Sequence, residues 1–99
     1  MLMPKSAEEK LDDQRIMKLF RGRCIVCMSA ATEIHEIIPR SKTKHATKLP
    51  NNRVPLCNGN HKNSHRDVHD KGYTLDKADF LRVKAIERLI IFGVPLEDW

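Results

Sequence analysis

Two cysteines separated by two residues, Cys24 and Cys27, together with Cys57, strongly constrain the fold of this chain. The 99 residues fit a single domain, residues 1–99, and so small a domain buries too little apolar surface to be stable without an additional tie. Disulfides are not the expected tie, because the cysteines are odd in number and no signal peptide opens the chain. A Cys-x-x-Cys pair is instead typical of a zinc half-site. We therefore predict a structural Zn²⁺ bound by the three thiolates, in a reducing cytoplasm.

A tetrahedral zinc site needs a fourth ligand. His61, four residues after Cys57, would complete a Cys3His set. Asn60 is a weaker alternative, because a neutral amide binds zinc poorly. The alternative to a zinc site is that Cys24 and Cys27 are ordinary buried small residues.

Positive charge is concentrated between residues 40 and 53. The chain has 18 Lys and Arg against 13 Asp and Glu, a net charge of +5, and this stretch contains no acidic residue. Its basic residues are Arg40, Lys42, Lys44, Lys48 and Arg53, with His45 when protonated. Such a stretch favours a polyanion, so we expect these Lys and Arg side chains to contact nucleic-acid phosphates. No apolar run approaches the roughly 20 residues that span a bilayer, so we expect a soluble protein with no membrane partner.

Sequence patterns predict an α+β fold that begins with a helix. Ser6 and Glu9 form a capping box at its start, and the helix is expected to run to about Phe20 and to end at Gly22. Its apolar stripe is predicted to contain Leu11, Ile16, Leu19 and Phe20.

Two short strands and a short helix are predicted next. Residues 32–38 are partly β-branched and are closed by Pro39, and residues 53–57 suit an edge strand because Pro55 cannot donate to a ladder. A turn at residues 58–60 and a short helix across residues 64–70, ended by Gly72, would complete a ββα unit.

A second long helix is predicted near the end of the sequence. Asp76 is expected to cap its beginning, with Asp79 at its third position, and Gly93 to end it. The packing face is predicted from apolar spacing to contain Phe80, Val83, Ile86, Leu89 and Ile90.

Three blocks of residues resemble the HNH nuclease family. The blocks are Ile34-His35-Glu36-Ile37-Ile38-Pro39-Arg40-Ser41, Asn52-Arg53-Val54-Pro55-Leu56-Cys57 and Ser64-His65-Arg66-Asp67-Val68-His69. The resemblance covers about two fifths of the chain. It implies a ββα-metal core (HNH or His-Me finger) over about residues 32–70, with a zinc knuckle and flanking N- and C-terminal helices.

The resemblance also implies roles for individual residues. His35 occupies the family's metal-ligand position, and Glu36 stands where the family usually has its general-base histidine. The reverse assignment, with His35 as base and Glu36 binding a hard ion such as Mg²⁺ or Mn²⁺, stays open. Asn52 is expected to order the loop by hydrogen bonds to backbone, and His65 to bind the catalytic divalent ion.

Two registers are open for the helical histidines. The preferred one uses His65 and His69, one helical turn apart, and leaves His61 for zinc; the other uses His61 and His65. In the preferred register Ser64 stands where the family has a cysteine, which is a departure from the pattern.

The function implied is that of a metal-dependent HNH endonuclease that hydrolyses DNA phosphodiester bonds. As a small stand-alone HNH protein, the chain is similar to those encoded by bacteriophages, which act with the DNA-packaging terminase. The resemblance therefore suggests the terminase large subunit as a partner and the host cell cytoplasm as location. The alternatives are a catalytically inactive, zinc-stapled DNA-binding module and a zinc-dependent scaffold for a larger complex.

Overall fold

The structure, a computed structural model, describes residues 7–39, 41–43, 49–57 and 74–99. Within these ranges the elements are α1 (Ala7–Leu19), β1 (Glu33–Glu36), β2 (Arg53–Leu56), α2 (Leu75–Phe92) and a 3-10 turn (Leu96–Asp98). The predicted α+β class is confirmed for this part of the chain. The residue 58–60 turn, the residue 64–70 helix and Gly72 lie outside the described residues, so the ββα-metal core stays a prediction.

Ile16 of helix α1 and Phe20, which directly follows the helix, are both buried, as the spacing predicts. Leu11 was expected on the same stripe but is exposed. It lies five residues before Ile16, about 140° around a helix of 3.6 residues per turn, so it faces away from the core. After the helix the Gly22 N–H donates to Met17 O at 2.8 Å, and Gly22 has a φ of 67°, a conformation that glycine adopts without strain. The proposed cap, Ser6, lies outside the described residues.

Strands β1 and β2 form an antiparallel pair. The register places His35 opposite Val54 and Glu36 opposite Arg53. All four residues of β2 are buried, whereas β1 is only partly so. Both strands are shorter than predicted, but they lie within the predicted segments.

The beginning of helix α2 differs from the prediction. Thr74, not Asp76, is the N-cap, because its Oγ1 accepts a hydrogen bond from Lys77 N at 3.1 Å. Asp76 lies in the first helical turn, where its negative charge interacts favourably with the positive end of the helix dipole. The predicted end is correct: Gly93 has a φ of 69°, and its N–H donates to Ile90 O at 3.1 Å.

The packing face of α2 also differs from the prediction. Its buried residues are Ala78, Leu81, Ala85 and Leu89. Of the residues predicted there, Leu89 is buried and Ile86 packs partly against the core, but Phe80, Val83 and Ile90 are exposed. Two apolar stripes run along this helix, and the one with the small alanines faces the core because alanine lets the helix backbone come close.

The 3-10 turn leads to Trp99, which is buried against α1 and β2. The Trp99 ring makes an edge-to-face contact with Phe20, with ring centroids 6.2 Å apart, and its Nε1 donates to Arg53 O at 2.9 Å. Within the described ranges, neither helix is long and apolar enough to cross a bilayer.

Candidate metal centre and strand pair

The three cysteines come together although they are far apart in sequence. Cys24 and Cys27 follow α1 and Cys57 directly follows β2, and their sulfur atoms all lie within 4.8 Å of one another. Cys27 Sγ and Cys57 Sγ are 3.8 Å apart. Zinc–sulfur bonds of about 2.3 Å in a tetrahedral set place two sulfurs roughly 3.8 Å apart. The group could therefore hold a metal ion, and the Cys27–Cys57 sulfur distance is the one expected between two thiolates bound to zinc.

Residues 24–29, here called the cysteine turn, present Cys24 and Cys27 from a tight reversal of the chain. The Met28 N–H donates to Cys24 O at 2.9 Å and the Cys24 N–H to Ser29 O at 2.8 Å. Met28 has a φ of 67°, which is uncommon for a residue other than glycine. The Ile25 N–H donates to Pro55 O at 3.2 Å and so fixes the turn against β2.

The environment of Cys24 favours a thiolate only if a cation is close. Burial raises the pKa of the Cys24 thiol to about 11, whereas hydrogen bonds from the backbone N–H groups of Cys27, Cys57 and Val26 lower it. Three amides directed at one sulfur stabilise negative charge there. A metal ion would supply the positive charge that a buried thiolate needs.

The surroundings of the other two sulfurs are consistent with this arrangement. Cys57 is buried and Cys27 is partly exposed, with Ser29 Oγ 2.8 Å from Cys27 Sγ. The predicted fourth ligand, His61, and its alternative, Asn60, lie outside the described residues. The coarser prediction of a metal site is supported by the geometry, and Cys3His coordination stays a prediction.

Asn52 braces the end of β1. It is 2% exposed, its Oδ1 accepts from Ile38 N at 2.8 Å and its Nδ2 donates to Ile38 O at 3.1 Å. Its own carbonyl accepts from Ile37 N at 2.8 Å. The predicted hydrogen bonds from Asn52 to backbone across the loop are therefore present. Its contribution to catalysis stays a prediction.

His35 and Glu36 are adjacent on β1, and successive strand residues point to opposite faces of a sheet. Glu36 shares the face of Arg53, its partner in the register, whereas His35 shares the face of Val54. Both side chains are partly buried. The two residues therefore differ in surroundings, and substitutions can distinguish their roles.

Arg53 was expected to contact nucleic-acid phosphates, but its guanidinium faces the protein interior. The residue is 4% exposed, its Nε lies 3.2 Å from Asp12 Oδ2 and its Nη2 pairs with Asp13 Oδ1. Two carboxylates of α1 thus neutralise it. A buried, paired guanidinium cannot reach a polyanion without breaking these contacts, so the structure does not support Arg53 as a phosphate contact.

Among the other predicted phosphate contacts, only Lys42 lies in the described ranges. It is exposed, and its N–H donates to Pro39 O at 2.9 Å in the turn after β1. The other residues of the basic stretch that lie outside the described ranges are Arg40, Lys44, His45 and Lys48. The third motif block, with Ser64, His65 and His69, also lies outside them. Both histidine registers therefore stay open.

Arg88 was missed in the sequence. It lies on α2 near the buried stripe, and its Nε donates to Ile25 O at 2.9 Å and its Nη2 to Val26 O at 3.3 Å. The available signal was an arginine next to Leu89 at a position on the buried side of the helix, which implies buried acceptors.

No protein-family model, curated protein or solved structure matches this chain.

Proposed function

We propose that this chain is a zinc-stapled HNH endonuclease that hydrolyses DNA phosphodiester bonds with a divalent metal ion. The observation that carries the proposal is the strand pair: β1 ends at His35 and Glu36, Asn52 braces the next two residues, and β2 leads directly into the cysteine cluster. One small unit thus joins the first two motif blocks to a candidate metal centre.

The structural ion in this proposal is Zn²⁺, with Cys24, Cys27 and Cys57 as ligands and His61 as the fourth. A bound ion stabilises the folded state by about 2.7 kcal/mol when its free concentration is 100 times the dissociation constant. We therefore expect a chelator to lower the unfolding temperature of the purified protein and added zinc to restore it. If protein shown to be metal-free and the same protein with added zinc gave identical melting curves, the structural zinc site would be contradicted.

In the proposed active site, a base activates water for attack on phosphorus, and a divalent ion stabilises the negative charge that develops. Glu36 or His35 is the base, and His35 and His65 are expected to hold the ion, with His69 nearby. A carboxylate with an ordinary pKa near 4.3 is a weaker base than an imidazole. Cleavage is therefore expected to depend on pH differently with a carboxylate base, Glu36, than with an imidazole base, His35. Mg²⁺ or Mn²⁺ suits a carboxylate ligand.

DNA is the proposed substrate because the chain is basic overall and its turn after β1 presents an exposed Lys42. Arg40 belongs to the same basic stretch of the sequence. Lys44 and Lys48 extend this basic stretch in the sequence. These contacts to phosphate would position DNA without reading its sequence. A phage terminase large subunit as partner and the host cytoplasm as location remain parts of the proposal that rest on the resemblance.

The decisive experiment is cleavage of supercoiled plasmid by the full chain with Mg²⁺, Mn²⁺, Ni²⁺ or EDTA. The variants are Glu36→Gln, His35→Ala and His65→Ala, with Glu33→Gln as control because Glu33 is an exposed carboxylate on the same strand. We expect metal-dependent nicking or linearisation that falls at least 100-fold in His65→Ala and is retained in Glu33→Gln, with zinc content unchanged in both. A His65→Ala protein that cuts at the wild-type rate would contradict the site.

The second candidate is a zinc-stapled DNA-binding module without catalysis. The observation that favours it is Glu36 at the position where the family usually has histidine. This candidate predicts DNA affinity that falls steeply with salt and no cleavage with any metal. The plasmid assay, run beside a binding titration at two salt concentrations, separates the two.

A further inference from the structure

Arg88 connects α2 to the cysteine turn through two carbonyls. Its Nε donates to Ile25 O at 2.9 Å and its Nη2 donates to Val26 O at 3.3 Å. These are consecutive carbonyls on the tip of the turn between the two cysteines. Arginine can reach both at once because its guanidinium presents several N–H groups in a rigid plane, whereas lysine presents one ammonium group.

The same two peptide units face the metal centre on their other side. A trans peptide bond is planar, so its C=O and N–H point in opposite directions. The Ile25 carbonyl belongs to the peptide unit that carries the Val26 N–H, and the Val26 carbonyl to the unit that carries the Cys27 N–H. Both of these N–H groups hydrogen-bond to the Cys24 sulfur.

We propose that Arg88 is a positioning residue of the metal centre: it fixes the Ile25–Val26 and Val26–Cys27 peptide units so that their N–H groups point at the Cys24 sulfur. A guanidinium on the carbonyl side also polarises each unit and strengthens its N–H as a donor. Arg88 therefore stabilises a metal-bound thiolate from outside the ligand set, as hydrogen-bonding partners behind ligands do in other metal sites.

The charge of Arg88 is not consumed by an ion pair in the described part of the chain, where no carboxylate lies within pairing distance of it. Arg82, on the same helix, differs in this respect: its Nη1 lies 4.0 Å from Asp79 Oδ1 and its side chain is partly exposed. A cation held against the cysteine turn balances part of the negative charge that three thiolates bring to a metal ion.

This inference rests on the proposed metal site, so the experiment must test both separately. Full-length protein is titrated with Co²⁺, whose thiolate-to-metal absorption reports binding through cysteine, and Zn²⁺ affinity is then measured by competition. The variants are Arg88→Met, which keeps the apolar stem, Arg88→Lys, which keeps the charge, and Arg82→Met as matched control. Leu81→Ala serves as a second control, because it removes buried apolar volume from α2 and leaves the Arg88 side chain unchanged.

We expect wild type and Arg82→Met to bind alike, Arg88→Met to bind about 10- to 100-fold more weakly, and Arg88→Lys to fall between them. In the loaded proteins, hydrogen exchange at the Val26 and Cys27 amides is expected to accelerate in Arg88→Met and not in Leu81→Ala. If Arg88 acted only by stabilising the fold, a Leu81→Ala protein with the same loss of stability would show the same loss of metal affinity.

The outcomes are distinguishable. If the wild type shows no thiolate absorption with Co²⁺, the metal site itself is wrong. If the wild type binds and Arg88→Met binds equally well, the metal site stands and the role of Arg88 is overturned. If Arg88→Met does not fold, Arg88→Lys decides: wild-type affinity and amide protection in that variant would overturn the requirement for two hydrogen bonds.

Discussion

Replacing Asn52 with alanine tests the brace that fixes the end of β1. The substitution removes the side-chain hydrogen bonds to Ile38, one from Ile38 N at 2.8 Å and one to Ile38 O at 3.1 Å. Each such bond contributes about 0.5–1.5 kcal/mol net, and a buried group left without a partner costs about 1–3 kcal/mol. Ile38 is only partly buried, so water can reach its backbone in part. We therefore expect a loss of about 2–3 kcal/mol in the free energy of unfolding.

That loss is large for a domain of this size, because whole domains are stable by about 5–15 kcal/mol. At roughly 4–8 °C per kcal/mol, the unfolding temperature is expected to fall by about 10–20 °C. Urea denaturation followed by circular dichroism measures the loss directly, with an unchanged slope as the sign that the folded state is intact.

The neighbouring Asn51 provides a matched control. It is exposed and has a φ of 57°, so Asn51→Gly removes an amide without strain and is expected to change stability by less than about 0.5 kcal/mol. Asn52→Asp keeps the acceptor for Ile38 N but loses the donor to Ile38 O, so it is expected to recover at most one bond. If Asn52→Ala unfolds within about 0.5 kcal/mol of wild type, the brace does not carry the energy assigned to it.

Three further substitutions test other contacts, each by urea denaturation. Arg53→Met leaves the Asp12 and Asp13 carboxylates without their buried cation and is expected to cost about 3 kcal/mol; a loss below about 1 kcal/mol would show that the pair is not formed. Trp99→Phe keeps an aromatic ring but loses the hydrogen bond to Arg53 O, at an expected cost of about 1 kcal/mol, and no loss would contradict that bond. Leu81→Ala is expected to cost about 2–5 kcal/mol and Val83→Ala less than about 0.5 kcal/mol; equal losses would contradict the face of α2 described above.

Local signals in the sequence predicted much of the fold. Gly93 ends α2 in the left-handed conformation, and the two short strands lie where β-branched residues and prolines indicated. These features depend on residues close in sequence, so local pattern is enough to find them. The proximity of Cys57 to the Cys24–Cys27 pair was also predicted, because the chemistry of a metal site requires it.

Features that depend on competition between similar signals were harder to predict. Thr74 and Asp76 are both good N-cap residues two positions apart, and the Thr74 hydroxyl makes the capping hydrogen bond. Helix α2 carries two apolar stripes, and spacing alone does not show which one packs against the core. The larger side chains Phe80 and Val83 were favoured in the prediction, but the face with Ala78 and Ala85 is buried.

Arg53 shows why a basic stretch in sequence is not a basic surface. It belongs to the same acid-free run as Lys42, yet it is buried on β2 and pairs with Asp12 and Asp13, about forty residues earlier in the chain. Charge counting cannot detect such a pair, because the partners meet only when α1 packs on the sheet. Lys42, by contrast, is exposed, and its contact with phosphate stays a prediction.

Contacts of the short strand β2 with neighbouring segments hold the small sheet in place. A two-stranded pair is marginal in water by itself. Here the Ile25 N–H donates to Pro55 O at 3.2 Å on the open edge of β2. On the other edge, the Thr32 N–H, directly before β1, donates to Leu56 O at 2.9 Å and extends the strand pair. Pro55 fits this position because it offers a carbonyl to the cysteine turn and needs no partner for a missing N–H. Metal binding at the turn would therefore stabilise the same strand whose partner carries His35 and Glu36.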